Sequence, residues 1–159
     1  MAVRRSRWLL LALLGVMMSL LYGCTGGGYQ YSHYETVGSE GWKRSDTLRF
    51  TVNPVQHYGT YAEQLGLRTT SLYPFMQLML IVSQEAQPSG FCRTDTMNVR
   101  LTDDDGLVTG EGISHYQYLF PLPPATLAAG DTLRVCVHHN MQRSPLAGIT
   151  DVGFSLIFL

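Results

Sequence analysis

Three cysteines, five histidines and twelve acidic side chains are the reactive groups of this 159-residue chain. Only their spacing can say whether any of them act together. One cysteine has a definite context. Arg4, Arg5 and Arg7 precede an uncharged, Leu- and Met-rich stretch from Trp8 to Leu21, followed by Tyr22-Gly23-Cys24 and Thr25-Gly26-Gly27-Gly28. A basic start, an apolar segment and a small residue before a cut site form an export signal. A cysteine directly behind the small residue adds the features of a bacterial lipobox. In that scheme the Cys24 thiol receives a diacylglycerol and the peptidase cuts between Gly23 and Cys24. Several acyl chains on one residue hold a protein firmly, at roughly 0.8 kcal/mol per buried methylene. Plain secretion and a membrane span are weaker readings; the stretch is short of the ~20 residues a span needs and ends in glycines.

The other two thiols are Cys92 and Cys136, and an exported chain with two remaining thiols invites a disulfide. Parity restricts it. Counted from Met97, Val99 and Leu101, Cys92 falls on the polar face of its segment, and Cys136 lies on the polar face beside Arg134 and His138. A bridge would therefore need neighbouring strands of one sheet, a demanding geometry, and two separate reduced thiols are favoured.

The remaining constellations do not reach chemistry. His138 and His139 are adjacent, so on a strand they point to opposite faces and cannot chelate one ion. Asp103-Asp104-Asp105-Gly106 has contiguous acids where a calcium loop alternates its oxygens, and it fits a tight turn. Ser114-His115 lacks a nucleophile elbow, because Gly110-Glu111-Gly112-Ile113-Ser114 is not Gly-x-Ser-x-Gly. No phosphate-binding glycine loop and no Cys-x-x-Cys occurs. The expectation is no enzyme, no metal and no cofactor. Aromatic residues offer a different use: Tyr29, Tyr31, Tyr34, Trp42, Tyr116, Tyr118 and Phe120 could form a stacking platform for a ligand or partner, with Trp42, Tyr116 and Tyr118 as its candidates. Core or edge packing is the stronger reading, since tyrosine is a good strand former.

The elements that must position these residues have a period of two. Leu48, Phe50 and Val52 alternate with polar neighbours, as do Met97, Val99 and Leu101, then Leu133, Val135 and Val137, and finally Val152, Phe154, Leu156 and Phe158. The run Phe75–Val82 is apolar on both faces, which suits a central strand covered twice or a patch that meets a partner. Turn signals fall at Asn53-Pro54, Tyr73-Pro74, Pro88-Ser89-Gly90, Asp105-Gly106, Pro123-Pro124 and Ala129-Gly130-Asp131. Only Tyr61–Leu65 and Ala125–Ala129 could hold a helical turn. About eight strands predict a single antiparallel β-sandwich, jelly-roll or immunoglobulin-like. The expected layout is a signal peptide over 1–23, a lipidated cysteine and glycine tether over 24–28, and the sandwich over 29–159.

Eleven Lys/Arg against twelve Asp/Glu exclude a basic nucleic-acid footprint. Removal of residues 1–23 takes away three arginines and no acid, leaving eight cations against twelve acids. That mildly acidic chain also argues against an anionic lipid surface as partner.

Gly41-Trp42, Asp46-Thr47-Leu48, Leu65-Gly66-Leu67-Arg68, Tyr73-Pro74-Phe75, Arg93-Thr94-Asp95-Thr96, Gly110-x-Gly112-Ile113-Ser114-x-Tyr116-Gln117-Tyr118, Phe120-Pro121, Gly130-Asp131-Thr132-Leu133 and Ile149-x-Asp151-Val152-Gly153 follow one another in this order. Behind a lipobox, that series resembles the GldH-type gliding-motility lipoproteins of Bacteroidota. The resemblance implies an envelope lipoprotein associated with the gliding machinery and the phylum's secretion apparatus, with other envelope proteins as partners and membrane attachment through Cys24. A periplasmic glycan-binding module is the alternative; no small-molecule ligand is specified. Thr25-Gly26-Gly27-Gly28-Tyr29 lacks the acidic run that resembles a surface-export signal, so the expected location is the periplasmic face of the outer membrane.

Overall fold

The computed structural model describes residues 28–159; the export signal and Cys24 lie outside the described residues. Eight strands follow in order: β1 (Tyr29–Thr36), β2 (Leu48–Val52), β3 (Gly59–Thr70), β4 (Gln77–Gln87), β5 (Phe91–Arg100), β6 (His115–Leu127), β7 (Thr132–His139) and β8 (Ile149–Phe158). They form two four-stranded sheets, β1-β8-β3-β6 and β2-β7-β4-β5, with every pair antiparallel. This order is that of a jelly roll, and it decides between the two sandwich topologies that the period-two pattern left open.

Alternation explains the core. Tyr61, Leu65 and Leu67 of β3 and Val152, Phe154 and Leu156 of β8 face Leu78, Leu80 and Val82 of β4 and Leu133, Val135 and Val137 of β7, and all are buried. Phe50 of one sheet meets Phe154 of the other at 6.2 Å between ring centroids. Each such side chain contributes about 1.5–3 kcal/mol by leaving water.

Three local expectations are corrected. Tyr61–Leu65 is the interior of β3, and Ala125–Leu127 ends β6. Ladder pairing on both sides of β3 outweighs any short helical preference there. Pro123-Pro124 does not make a turn; with Pro121 it lies inside β6. β6 is the edge of its sheet, so the missing N–H groups interrupt no ladder on the open side and discourage a further strand. The two-faced apolar run resolves into two irregular residues, Phe75 and Met76, followed by central β4. Leu78, Leu80 and Val82 fill the core, while Met79 and Ile81 are half-buried on the outer face. There the Met79 N–H reaches Met141 Sδ at 3.5 Å.

The two ends of the sandwich differ. Tyr29 pairs with Ile157, which pairs with Ala62, so the chain enters at the end where β3 begins. That end holds the short connections 53–58, 88–90 and 128–131. The opposite end gathers 71–76 and the three longest connections, 37–47, 101–114 and 140–148. The entry end is tightly closed. Asp131, fully buried, accepts from Ser89 N–H at 2.9 Å and Ala128 N–H at 2.8 Å. One carboxylate thus joins the β6–β7 turn to the β4–β5 hairpin.

Candidate functional site

The far end carries a groove of about 290 Å³ between segment 71–76 and segment 101–114, floored by the start of β6. Tyr73, Pro74, Phe75, Met76, Val108 and Tyr116 supply its apolar lining.

Segment 71–76 is held from three sides. Tyr73 N–H donates to Thr70 O at 3.2 Å, and its hydroxyl donates to Gln77 O at 2.8 Å. Its ring meets Phe75 edge-on at 5.7 Å. Burial pushes the Tyr73 phenol well above its ordinary range, so it stays a donor. Behind it lies Gly148, at φ +82°, where a Cβ would stand 2.2 Å from Tyr73 N. Only glycine allows the β7–β8 connection to pass so close.

Segment 101–114 folds back over β6. Leu101 N–H donates to Met76 O at 2.8 Å, and Tyr118 donates its hydroxyl to Leu101 O at 3.0 Å. The Tyr118 ring lies against Gly110, where a Cβ would be 2.6 Å away, and stacks on Phe120 at 5.9 Å. Asp103 shapes the tip: its Oδ1 accepts from Asp105 N–H at 3.0 Å and Leu107 N–H at 2.8 Å, with Gly106 at φ +81°. The expected Asp105-Gly106 turn is present, and its arms join through the Thr102–Val108 bridge. Asp104 pairs with Arg100. Among the described residues no group of three His, Cys, Asp or Glu side chains converges as a metal site would.

The sequence-derived candidates scatter. Trp42 is fully buried, donates Nε1–H to Asp46 O at 3.0 Å and meets His139 edge-on at 5.3 Å. Tyr116, half-buried, and Tyr118, buried, both line the groove. Two of the three candidates, Trp42 and Tyr118, are enclosed with hydrogen-bonded polar tips, the packing role the sequence favoured over a stacking platform. His139 points inward and His138 outward, as alternation requires. Met141 N–H donates to His139 Nδ1 and Nε2 lies 3.2 Å from Trp42 O, an arrangement for a neutral ring. Burial holds this imidazole below its ordinary pKa. Ser114 Oγ lies 3.3 Å from His115 Nδ1 on an exposed turn.

The two remaining thiols stay apart, the arrangement the sequence favoured over a disulfide. Cys92 and Cys136 are both free. Each lies on the outer face of its strand, as parity implied, and the two strands belong to one sheet, but Cys92 pairs with Glu85 and Cys136 with Ser83, so β4 runs between them. Two strand spacings of ~4.8 Å exceed the ~7 Å Cα limit of a bridge.

The sequence reading missed a buried polar cluster across the sandwich. Glu63 of β3 accepts from Gln84 Nε2 of β4 at 2.9 Å and pairs with Arg93 of β5. Arg93 also lies 2.7 Å from Asp95 and donates to Pro124 O of β6 at 3.0 Å. Burial raises the Glu63 carboxyl above its usual range against the pull of Gln84 and Arg93. These four polar residues occupy core-face positions, in phase with Leu65, Val82 and Met97. That break in alternation was the available signal. The cluster closes the β5–β6 flank of the sandwich, so its role is structural.

Comparison with known proteins adds what the geometry does not. The sequence model of the GldH lipoprotein family matches residues 29–156. The gliding motility lipoprotein GldH of Flavobacterium johnsoniae is 28% identical over 163 residues, covering 98% of each chain. Among solved structures, a family 115 4-O-methyl-alpha-glucuronidase specific for decorated arabinogalactans aligns with a TM-score of 0.40 and 10% identity, covering 85% of this chain and 16% of its own. Eiger TNF from S. frugiperda aligns with a TM-score of 0.34 and 11% identity, covering 82% and 92%. At these scores neither likeness bears on function.

Proposed function

This chain belongs to the GldH lipoprotein family, and from that premise we propose that it is a non-enzymatic component of an envelope complex serving gliding or protein secretion. It stands on acylated Cys24 at the periplasmic face of the outer membrane. The observation that carries the reading is the polarity of the sandwich. The chain enters at the end with short, locked turns, five residues after Cys24. The three longest connections and five exposed apolar residues, Leu72, Met76, Leu107, Val108 and Ile113, belong to the other end, while Tyr29, Tyr58 and Leu159 are exposed at the entry end. An anchor at one end and an apolar loop crown at the other suit a protein that stands on a membrane and meets partners above it.

The test begins with the anchor. Labelled palmitate should enter the wild type, globomycin should accumulate the precursor, and Cys24→Ala should leave the protein unprocessed or soluble. Cleavage at Gly23–Cys24 without palmitate incorporation would refute lipidation. Crosslinking in intact cells should then recover motility or secretion components with the acylated protein. Recovery of none, together with saturable glycan binding lost in Tyr116→Ala, would overturn the complex-component reading.

A further inference from the structure

We propose that the groove between 71–76 and 101–114 docks an apolar polypeptide segment flanked by lysine or arginine, presented by another envelope protein. The proposal rests on the envelope-complex reading and names the surface and the chemistry of the partner.

The lining is uncharged, and the segment that walls it on one side is acidic. Segment 71–76 has no charged residue, whereas 100–114 carries Asp103, Asp104, Asp105 and Glu111 against Arg100 alone. Asp104 is spoken for by Arg100, but neither Asp105 nor Glu111 has a cation at ion-pair distance among the described residues. Ile113, 93% exposed, and Leu107, 66% exposed, extend the apolar surface along the same segment. At about 290 Å³ the cavity lies at the lower limit of small-molecule sites, a size for anchor side chains. An apolar seat beside uncompensated acids selects a segment that brings both anchors and positive charge.

Other occupants fit less well. The chain's own tether starts at the opposite end; five residues reach at most about 18 Å, whereas the 12 residues of β3 separate the two ends by about 40 Å. The anchoring membrane lies at that opposite end too. A second copy would bring the same acidic segment, and residues 24–159 carry four more acids than cations.

The experiment places a photo-crosslinking amino acid at Val108, at Ile113 or at Tyr58, an exposed position at the entry end, in the full lipoprotein in living cells. Val108 and Ile113 should give adducts to one envelope protein, mapping to a segment with net positive charge, while Tyr58 stays at background. Asp105→Lys with Glu111→Lys should lower the adduct yield about tenfold, as reversal of two exposed charge contacts implies. If that variant loses its acylation or protease resistance, Asp105→Asn with Glu111→Gln should still lower the yield. Adducts to a second copy, to lipid or to an acidic segment would overturn the proposal. An envelope-protein adduct from Tyr58 alone would overturn the groove and leave the complex-component reading standing. No adduct from any position in correctly acylated protein would overturn both.

Discussion

Asp131→Asn tests whether one carboxylate locks the entry end of the sandwich. The substitution keeps one carbonyl acceptor but turns an amide N–H₂ toward a backbone N–H. A hydrogen bond to a charged group contributes ~1.5–3 kcal/mol. The structure places the cost at the lower end of that range. Ser89 lies on an exposed turn, so its freed N–H can recover a water, while Ala128 is half-buried. Asp131→Asn should therefore cost about 1–2 kcal/mol and Asp131→Ala about 2–3 kcal/mol. At ~4 °C per kcal/mol, the asparagine variant should melt roughly 4–8 °C lower. The pH dependence follows from the same contacts. Burial pushes the carboxyl up, but hydrogen bonds from Ser89 and Ala128 outweigh it and hold the pKa below 3.8. Such a group adds stability that is present above 3.8 and lost as pH falls through the folded value. Urea unfolding of residues 28–159 at pH 7 and pH 3 measures both effects. A variant within about 0.3 kcal/mol of wild type at pH 7, or an unchanged gap at pH 3, would refute the clasp.

His139 has its folded pKa below 6.5, so between 6.5 and that value only the unfolded chain takes the proton. Stability should fall as pH drops from 7.5 to 5.5 in urea titrations, and His139→Gln should flatten the slope. Tyr118→Phe removes the bond to Leu101 O and should cost about 0.5–1.5 kcal/mol. Its amide exchange should quicken over 101–114 and leave the β4–β5 hairpin unchanged. Thiol titration of the folded, unreduced domain should count two free cysteines, Cys92 reacting faster than half-buried Cys136; a missing thiol pair would refute the separation by β4.

The alternating runs determined most of the secondary structure. Leu48–Val52, Leu133–Val137 and Val152–Phe158 each read correctly as strands because burying one face leaves a period of two in the residues themselves. The family also was legible, since its matches run through most of the domain. Strand neighbours were not. Parity put Cys92 and Cys136 each on the polar face of its strand, but only pairing revealed one sheet with β4 between them. Pro123-Pro124 read as punctuation until β6 proved to be an edge. Glu63, Gln84 and Arg93 lie far apart in the chain and became a cluster only when two sheets brought their inward positions together. The groove has the same origin. Residues 71–76 and 101–114 are distant in sequence, and the jelly-roll connections alone place both at one end of the sandwich. Local pattern records which face a residue buries; which surfaces meet is a property of long-range pairing, and the tertiary structure decides it.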